Sequence, residues 1–126
     1  LNTLYFFNSN AGVDGCALHG EPGYQQMEWL RVQLQFMRDR GMKAMLTGHV
    51  PPVRQDAKTA WDETCWQKYT LWLRQYRDVI VSSHYGHFNY DHFMLQDFKD
   101  LEKDTKKGRM QYVHTEDSGD DDLSAV

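Results

Sequence analysis

The chain has 126 residues, a formal net charge of −4, and hydrophobic and charged shares of 40% and 25%, the balance of one globular domain or part of one. Its apolar runs, such as Val79-Ile80-Val81, fall far short of the ~18 residues of a membrane-spanning helix. An aromatic share of 13% argues for a packed core over disorder.

The chain opens on Leu1-Asn2-Thr3-Leu4-Tyr5-Phe6-Phe7 with no basic residues before it, so these residues are not expected to be a signal peptide. These residues alternate too little for a half-exposed strand and predict a buried one. A strand entered at its first residue reads as a cut through a larger domain. The segment Asn8 to Gly15 is rich in Asn, Gly and Asp and predicts a loop.

Pro22 and Gly23 then precede a helix with Met27, Leu30, Leu34 and Met37 on one stripe. Trp29, Val32 and Phe36 widen that apolar face, so packing on more than one side is expected. Gly41 is suited to end the helix. Met42 to Thr47 predicts a short apolar strand, closed by Gly48-His49 and by Pro51-Pro52, which cannot continue a ladder.

Residues 53–60 read as a polar loop. Asp62 or Thr64 is placed to cap a second helix with Trp66, Tyr69, Leu73 and Tyr76 on its stripe, ending at Asp78. Val79 to Ser83 predicts another buried strand, which runs into the polar turn His84-Tyr85-Gly86-His87-Phe88-Asn89-Tyr90-Asp91-His92. A short element at Phe93 to Leu101 and a last strand at Met110 to Val113 are expected beyond it. Alternating helices and strands place the chain in the α/β class.

The end is charged. Lys99, Lys103, Lys106, Lys107 and Arg109 precede Glu116-Asp117-Ser118-Gly119-Asp120-Asp121-Asp122. That composition predicts a solvated, mobile tail from Glu116 to Val126. A basic arm touching a polyanionic substrate is the sharper alternative. Cys16 and Cys65 form no Cys-x-x-Cys pair, which argues against a structural zinc knot. They would bridge in an oxidising compartment and stand as two buried thiols in cytosol.

Two features match each other: one strand ends in Gly48-His49 and a later one in Gly86-His87. Ligand and metal sites in α/β sheets gather where strands end and loops begin. A glycine before each histidine leaves room for the backbone to turn and present the imidazole at the strand tip. Neutral imidazole is a ligand for zinc, iron, manganese or nickel. Asn89 offers an amide oxygen to a hard cation or to a phosphate-bound water. His19 and His114 lack this placement and read as structural or surface residues, while His84 and His92 read either as groups supporting a ligand or as simply packed.

Gly48-His49-Val50-Pro51-Pro52 together with Gly86-His87-Phe88-Asn89-Tyr90-Asp91-His92-Phe93 resembles the last two motifs of the calcineurin-like metallophosphoesterases. The usual final motif there is Gly-His-x-His. Asn89 in place of the second histidine resembles the fungal endopolyphosphatase branch, as do Leu1 to Phe6, Val13 to Cys16, Glu28 to Leu30, Gly41 to Ala44 and Cys65 to Tyr69. The resemblance spans about residues 1–100.

That resemblance implies part of a layered α/β/β/α sandwich, with residues 1–101 as the C-terminal portion of the domain and 102–126 as a flexible tail. It implies two divalent metal ions (Zn, Mn, Mg, Co or Fe), with His49 and His87 on the second metal. Asn89 stands where relatives place a ligand to the first metal, and its amide would act directly or through water. The family's Asp-x-His, Gly-Asp-x-x-Asp and Gly-Asn-His motifs do not occur here, so no catalytic acid is assigned to this chain. Implied partners are inorganic polyphosphate and the N-terminal half of the same domain; no nucleic acid is indicated. A vacuolar, lumenal location is implied as well, and with it a Cys16–Cys65 disulfide. Two other readings stand beside this one. An acid sphingomyelinase-like phosphodiesterase shares the His-x-Pro-Pro turn but keeps the second histidine. A non-catalytic remnant would bind phosphate or a partner.

Overall fold

The computed structural model describes residues 1–95 and Lys99. The expected elements from 96 onward and the acidic tail therefore lie outside the described residues, and Phe93–Leu95 form no regular element. A single 3₁₀ turn, Thr3–Tyr5, is followed by α1 (Pro22–Asp39), β1 (Ala44–Thr47), α2 (Glu63–Gln75) and β2 (Ile80–His84). The two strands pair in parallel through an α2 crossover, an α/β arrangement.

The opening segment is not a strand. Asn2 caps the 3₁₀ turn by accepting from the Leu4 N–H, and a side-chain cap of this kind competes with extended pairing. Only Thr3 and Phe6 of these seven residues are buried. Phe7 makes an isolated antiparallel bridge to Trp61, and the backbone bonds Asn8 to Ala60 and Asp62 to Phe6 hold that bridge in place.

Pro22 at the first position of α1 suits its fixed φ. Gly41 ends the helix at φ +65. The Gly41 N–H donates to Arg38 and the Met42 N–H to Met37, the paired bonds of a Schellman motif. Met27, Leu30 and Leu34 are buried on the expected stripe, whereas Trp29, Val32 and Phe36 are exposed. The expected second packed side is therefore not covered by the described residues.

The helix α2 is the central element. Asp62 caps it by accepting from the Thr64 N–H at 2.9 Å. Its buried residues run around most of the circumference and include Cys65, Lys68, Tyr69, Leu71 and Trp72, while Trp66 and Leu73 of the expected stripe are only half-buried. Polar spacing misplaced the stripe because Gln67, Lys68 and Thr70 are buried despite their chemistry. Lys68 achieves this by meeting Glu28 of α1 at 2.6 Å, with its ammonium 4.0 Å from the centre of the Tyr24 ring. At the far end, Arg38 of α1 ties to Gln75 and Asp78.

Burial raises the Glu28 pKa, but the hydrogen bond and charge of Lys68, with help from Arg31, outweigh it and hold the carboxyl below its ordinary value. A lowered folded-state pKa stabilises the fold above the unfolded value of about 4.3, and that contribution is lost as pH falls through the folded value. Glu28→Gln would leave the Lys68 ammonium buried without its counter-charge. The expected loss at neutral pH is about 3 kcal/mol, the low end for a broken buried pair, since Glu28 is partly solvated. Urea titrations over a pH series downward from 7 should show the gap between the variant and the wild type narrowing as pH falls through the lowered Glu28 value.

Around α2 lies an aromatic core centred on Trp61, whose ring meets Phe6 and Tyr69, each at 4.8 Å, and Tyr85 at 6.0 Å. Cys16 and Cys65 form a disulfide with Cα atoms 4.9 Å apart, and both are fully buried. It joins the loop before α1 to the first turn of α2.

The sheet is thinly covered. Ala44 and Leu46 face the core while Met45 is exposed, and in β2 Val81 is exposed too. The expectation of a buried second strand fails: Ile80 and Ser82 are half-covered and Val81, Ser83 and His84 are exposed. Only Val79, just ahead of the strand, is fully packed.

Candidate metal centre

Because β1 and β2 run in parallel, their C-terminal ends share one edge, and the segments leaving them lie side by side. Gly48 N–H donates to the His84 carbonyl at 3.1 Å, and Gly86 N–H donates to the His49 carbonyl at 2.9 Å. These two bonds carry the strand pairing past the sheet and lock the two exit turns together. They bring His87 Nδ1 to 3.4 Å from His49 Nε2, with ring centroids 5.2 Å apart and planes at 83°.

The His49 turn is held from several sides. The buried Thr3 hydroxyl accepts from the N–H groups of His49 at 3.1 Å and Val50 at 2.8 Å. The Trp61 indole donates to the Val50 carbonyl at 2.9 Å. His87 is flanked by the rings of Phe7 at 5.5 Å and Phe88 at 4.9 Å. Beneath both turns, Tyr85 and Tyr69 share a 2.5 Å hydroxyl contact, and Tyr69 donates to Ser83. Burial, aided by Tyr69, pushes the Tyr85 phenol far above its usual range, so it stays neutral.

The two glycines have different jobs. Neither adopts a positive φ; that conformation falls instead on His87 at φ +74 and Asn89 at φ +58. A Cβ on Gly48 would lie 2.4 Å from Thr3 Cγ2 and 3.0 Å from the Tyr85 ring, whereas one on Gly86 would meet His49 Nδ1 at 3.7 Å, an ordinary contact. Glycine at 48 therefore admits close approach of buried neighbours. Gly48→Ala should destabilise the protein by about 1–3 kcal/mol, and Gly86→Ala by clearly less. Chemical denaturation of the two variants side by side checks this; equal losses would contradict it.

The structure thus brings His49 and His87 together and places Asn89 on the same turn, exposed. Among the described residues no third His, Cys, Asp or Glu completes a cluster. His19 meets the Tyr24 ring, His84 bonds the Ser82 hydroxyl, and His92 packs beside Tyr90. Sequence reading missed Thr3 and Tyr85, because nothing in the local pattern of residues 1–7 points to a turn 46 residues away.

A separation of 3.4 Å is long for an imidazole hydrogen bond. Two nitrogens each about 2.0–2.1 Å from one ion lie roughly 2.8–3.4 Å apart for ligand angles between square and tetrahedral, the tetrahedral end being the longer. The pair therefore has a spacing compatible with two ligands on one cation.

Fold and site together describe an α/β segment that delivers two imidazoles to the shared end of parallel strands. No family model matches the chain. Across its whole length it is 59% identical, over 127 residues, to an endopolyphosphatase of Neurospora crassa, of which it covers 17%. An endopolyphosphatase of Saccharomyces cerevisiae is 42% identical over 97% of the chain and 18% of its own length. That of Yarrowia lipolytica is 50% identical over 82% of the chain and 13% of its own length. The chain is homologous to a segment of the fungal endopolyphosphatases, and it spans less than a fifth of the length of these curated relatives.

Proposed function

We propose that this chain supplies the C-terminal ligands of a two-metal site that hydrolyses internal phosphoanhydride bonds of inorganic polyphosphate. The observation that carries the reading is the 3.4 Å approach of His87 Nδ1 to His49 Nε2 at adjacent strand ends. The endopolyphosphatase names of its homologues supply the substrate class. His49 and His87 would hold one divalent cation. Asn89 would offer a second cation a weaker amide ligand, directly or through water. When bound, such a pair would neutralise phosphoryl oxygens and lower the pKa of a bound water.

The remaining ligands and the leaving-group acid belong to the N-terminal part of the domain. Met45 and Val81, exposed on the sheet, fit a second layer from that part, as an α/β/β/α sandwich requires. A buried disulfide suits an oxidising compartment such as the vacuolar lumen. The sphingomyelinase-like alternative is not favoured: every relative named above is an endopolyphosphatase.

The test is polyphosphate chain length on a gel, with and without divalent metal. The purified 126-residue chain should leave polyphosphate intact, because two dications brought close without anionic ligands repel each other strongly. The longer parent polypeptide should shorten it in a metal-dependent way. Shortening by the isolated chain would overturn this placement of the site.

A further inference from the structure

Where β1 ends, the backbone leaves the ladder with two N–H groups, those of His49 and Val50, that no strand can accept. Val50 is fully buried, so an unpaired donor there would be costly. One atom takes both. The Thr3 hydroxyl, on a residue 46 positions earlier, accepts from His49 at 3.1 Å and from Val50 at 2.8 Å. A hydroxyl oxygen has two lone pairs, so this is its full accepting capacity.

Thr3 is itself fixed. It is 1% exposed, and its methyl group lies where a Cβ on Gly48 would have to go. The preceding residue, Asn2, is clamped by Gln26 of α1: the Asn2 N–H donates to Gln26 Oε1 at 2.7 Å, and Gln26 Nε2 donates back to the Asn2 carbonyl at 2.9 Å. Two sets of hydrogen bonds, joined by the Asn2–Thr3 peptide bond, therefore tie α1 to the backbone of His49. Their effect is directional, since the two amides they hold flank the Cα that aims the His49 ring.

We infer that Thr3 is a positioning residue for the candidate metal centre, setting the orientation of His49 through its two backbone amides. This rests on the metal reading above. Outer groups that orient a metal-bound histidine typically govern affinity by about 10–100-fold, and here the orienting contact is made to the backbone.

The experiment uses the parent polypeptide and cobalt(II) as the probe, read by its visible absorption and by titration. His49→Ala sets the baseline for loss of the ligand. Thr3→Val keeps the shape and removes the acceptor; it should weaken cobalt binding by about 10–100-fold and alter the spectrum. Thr3→Ser keeps the acceptor and should retain wild-type affinity and spectrum. Gln26→Ala, on the surface of α1, should weaken binding in the same direction if Thr3→Val fails to fold. In the metal-free protein, hydrogen exchange at the His49 and Val50 amides should accelerate in Thr3→Val and not in Thr3→Ser.

Wild-type affinity and spectrum in Thr3→Val, or in Gln26→Ala where Val does not fold, overturns the inference while leaving the metal reading intact. Loss in Thr3→Ser equal to that in Thr3→Val also overturns it, by showing that packing alone matters. An unchanged cobalt spectrum in His49→Ala overturns the metal reading itself, and the positioning role with it.

Discussion

Replacing His87 with glycine in the parent polypeptide should abolish metal-dependent polyphosphate cleavage while costing the fold less than alanine does. His87 sits at φ +74, a left-handed conformation that penalises any Cβ and is free for glycine. His87→Ala keeps that penalty and loses the ring, whereas His87→Gly loses the ring and relieves the backbone. The glycine variant should therefore be more stable than the alanine variant by about 1 kcal/mol. Both should lose activity by more than ~100-fold, since removing groups that merely orient a ligand already costs 10–100-fold. Denaturation of the two variants together with the gel assay reads both quantities. A residue kept for packing would show the reverse order, with the larger side chain better tolerated. Strain held by a non-glycine residue beside a second imidazole is the pattern expected where chemistry outranks local stability.

The second large effect concerns the Cys16–Cys65 disulfide. The bridge closes a loop of 49 residues, for which chain entropy gives about 4 kcal/mol. Little slack surrounds it. The Cys16 N–H donates to the Thr64 hydroxyl at 2.8 Å, and that hydroxyl donates to Asp62. A Cβ on Gly23 would lie 2.8 Å from Cys16 Sγ and 2.6 Å from the Gly15 carbonyl. The double variant Cys16→Ala, Cys65→Ala should fall by about 4 kcal/mol, a large share of the 5–15 kcal/mol typical of a domain. Urea denaturation with and without reductant measures it; reductant should move the wild type and leave the double variant unchanged. A loss below about 1 kcal/mol would mean that the reduced chain already holds these ends together.

Features of the fold are legible in the sequence where one residue type has one local use. Gly41 after an apolar stripe, Asp62 before a helix, and the two Gly-His pairs at strand ends all announce themselves over a few positions. Legibility ends where tertiary partners override local chemistry. Lys68 and Gln67 look solvated in sequence and are buried, because Glu28 and Glu63 meet them. Trp29 and Phe36 look like core and are exposed. Val81 has strand chemistry, yet nothing in these 95 contiguous residues covers it. The role of Thr3 had no local signature, since an acceptor for two amides is defined only once distant backbone arrives.

That distance has a kinetic consequence. His49 and His87 are 38 residues apart, Thr3 and His49 are 46 apart, and each contact requires closing a long loop before it returns any free energy. Contacts of this span form late and slowly compared with α1 or α2. On the proposed metal reading, a chain short of these closures would not present the paired imidazoles, and a cation would not nucleate this segment as zinc does a finger. Metal capture would then read out finished folding, and a chain that stalled on the way would stay blind to the ion.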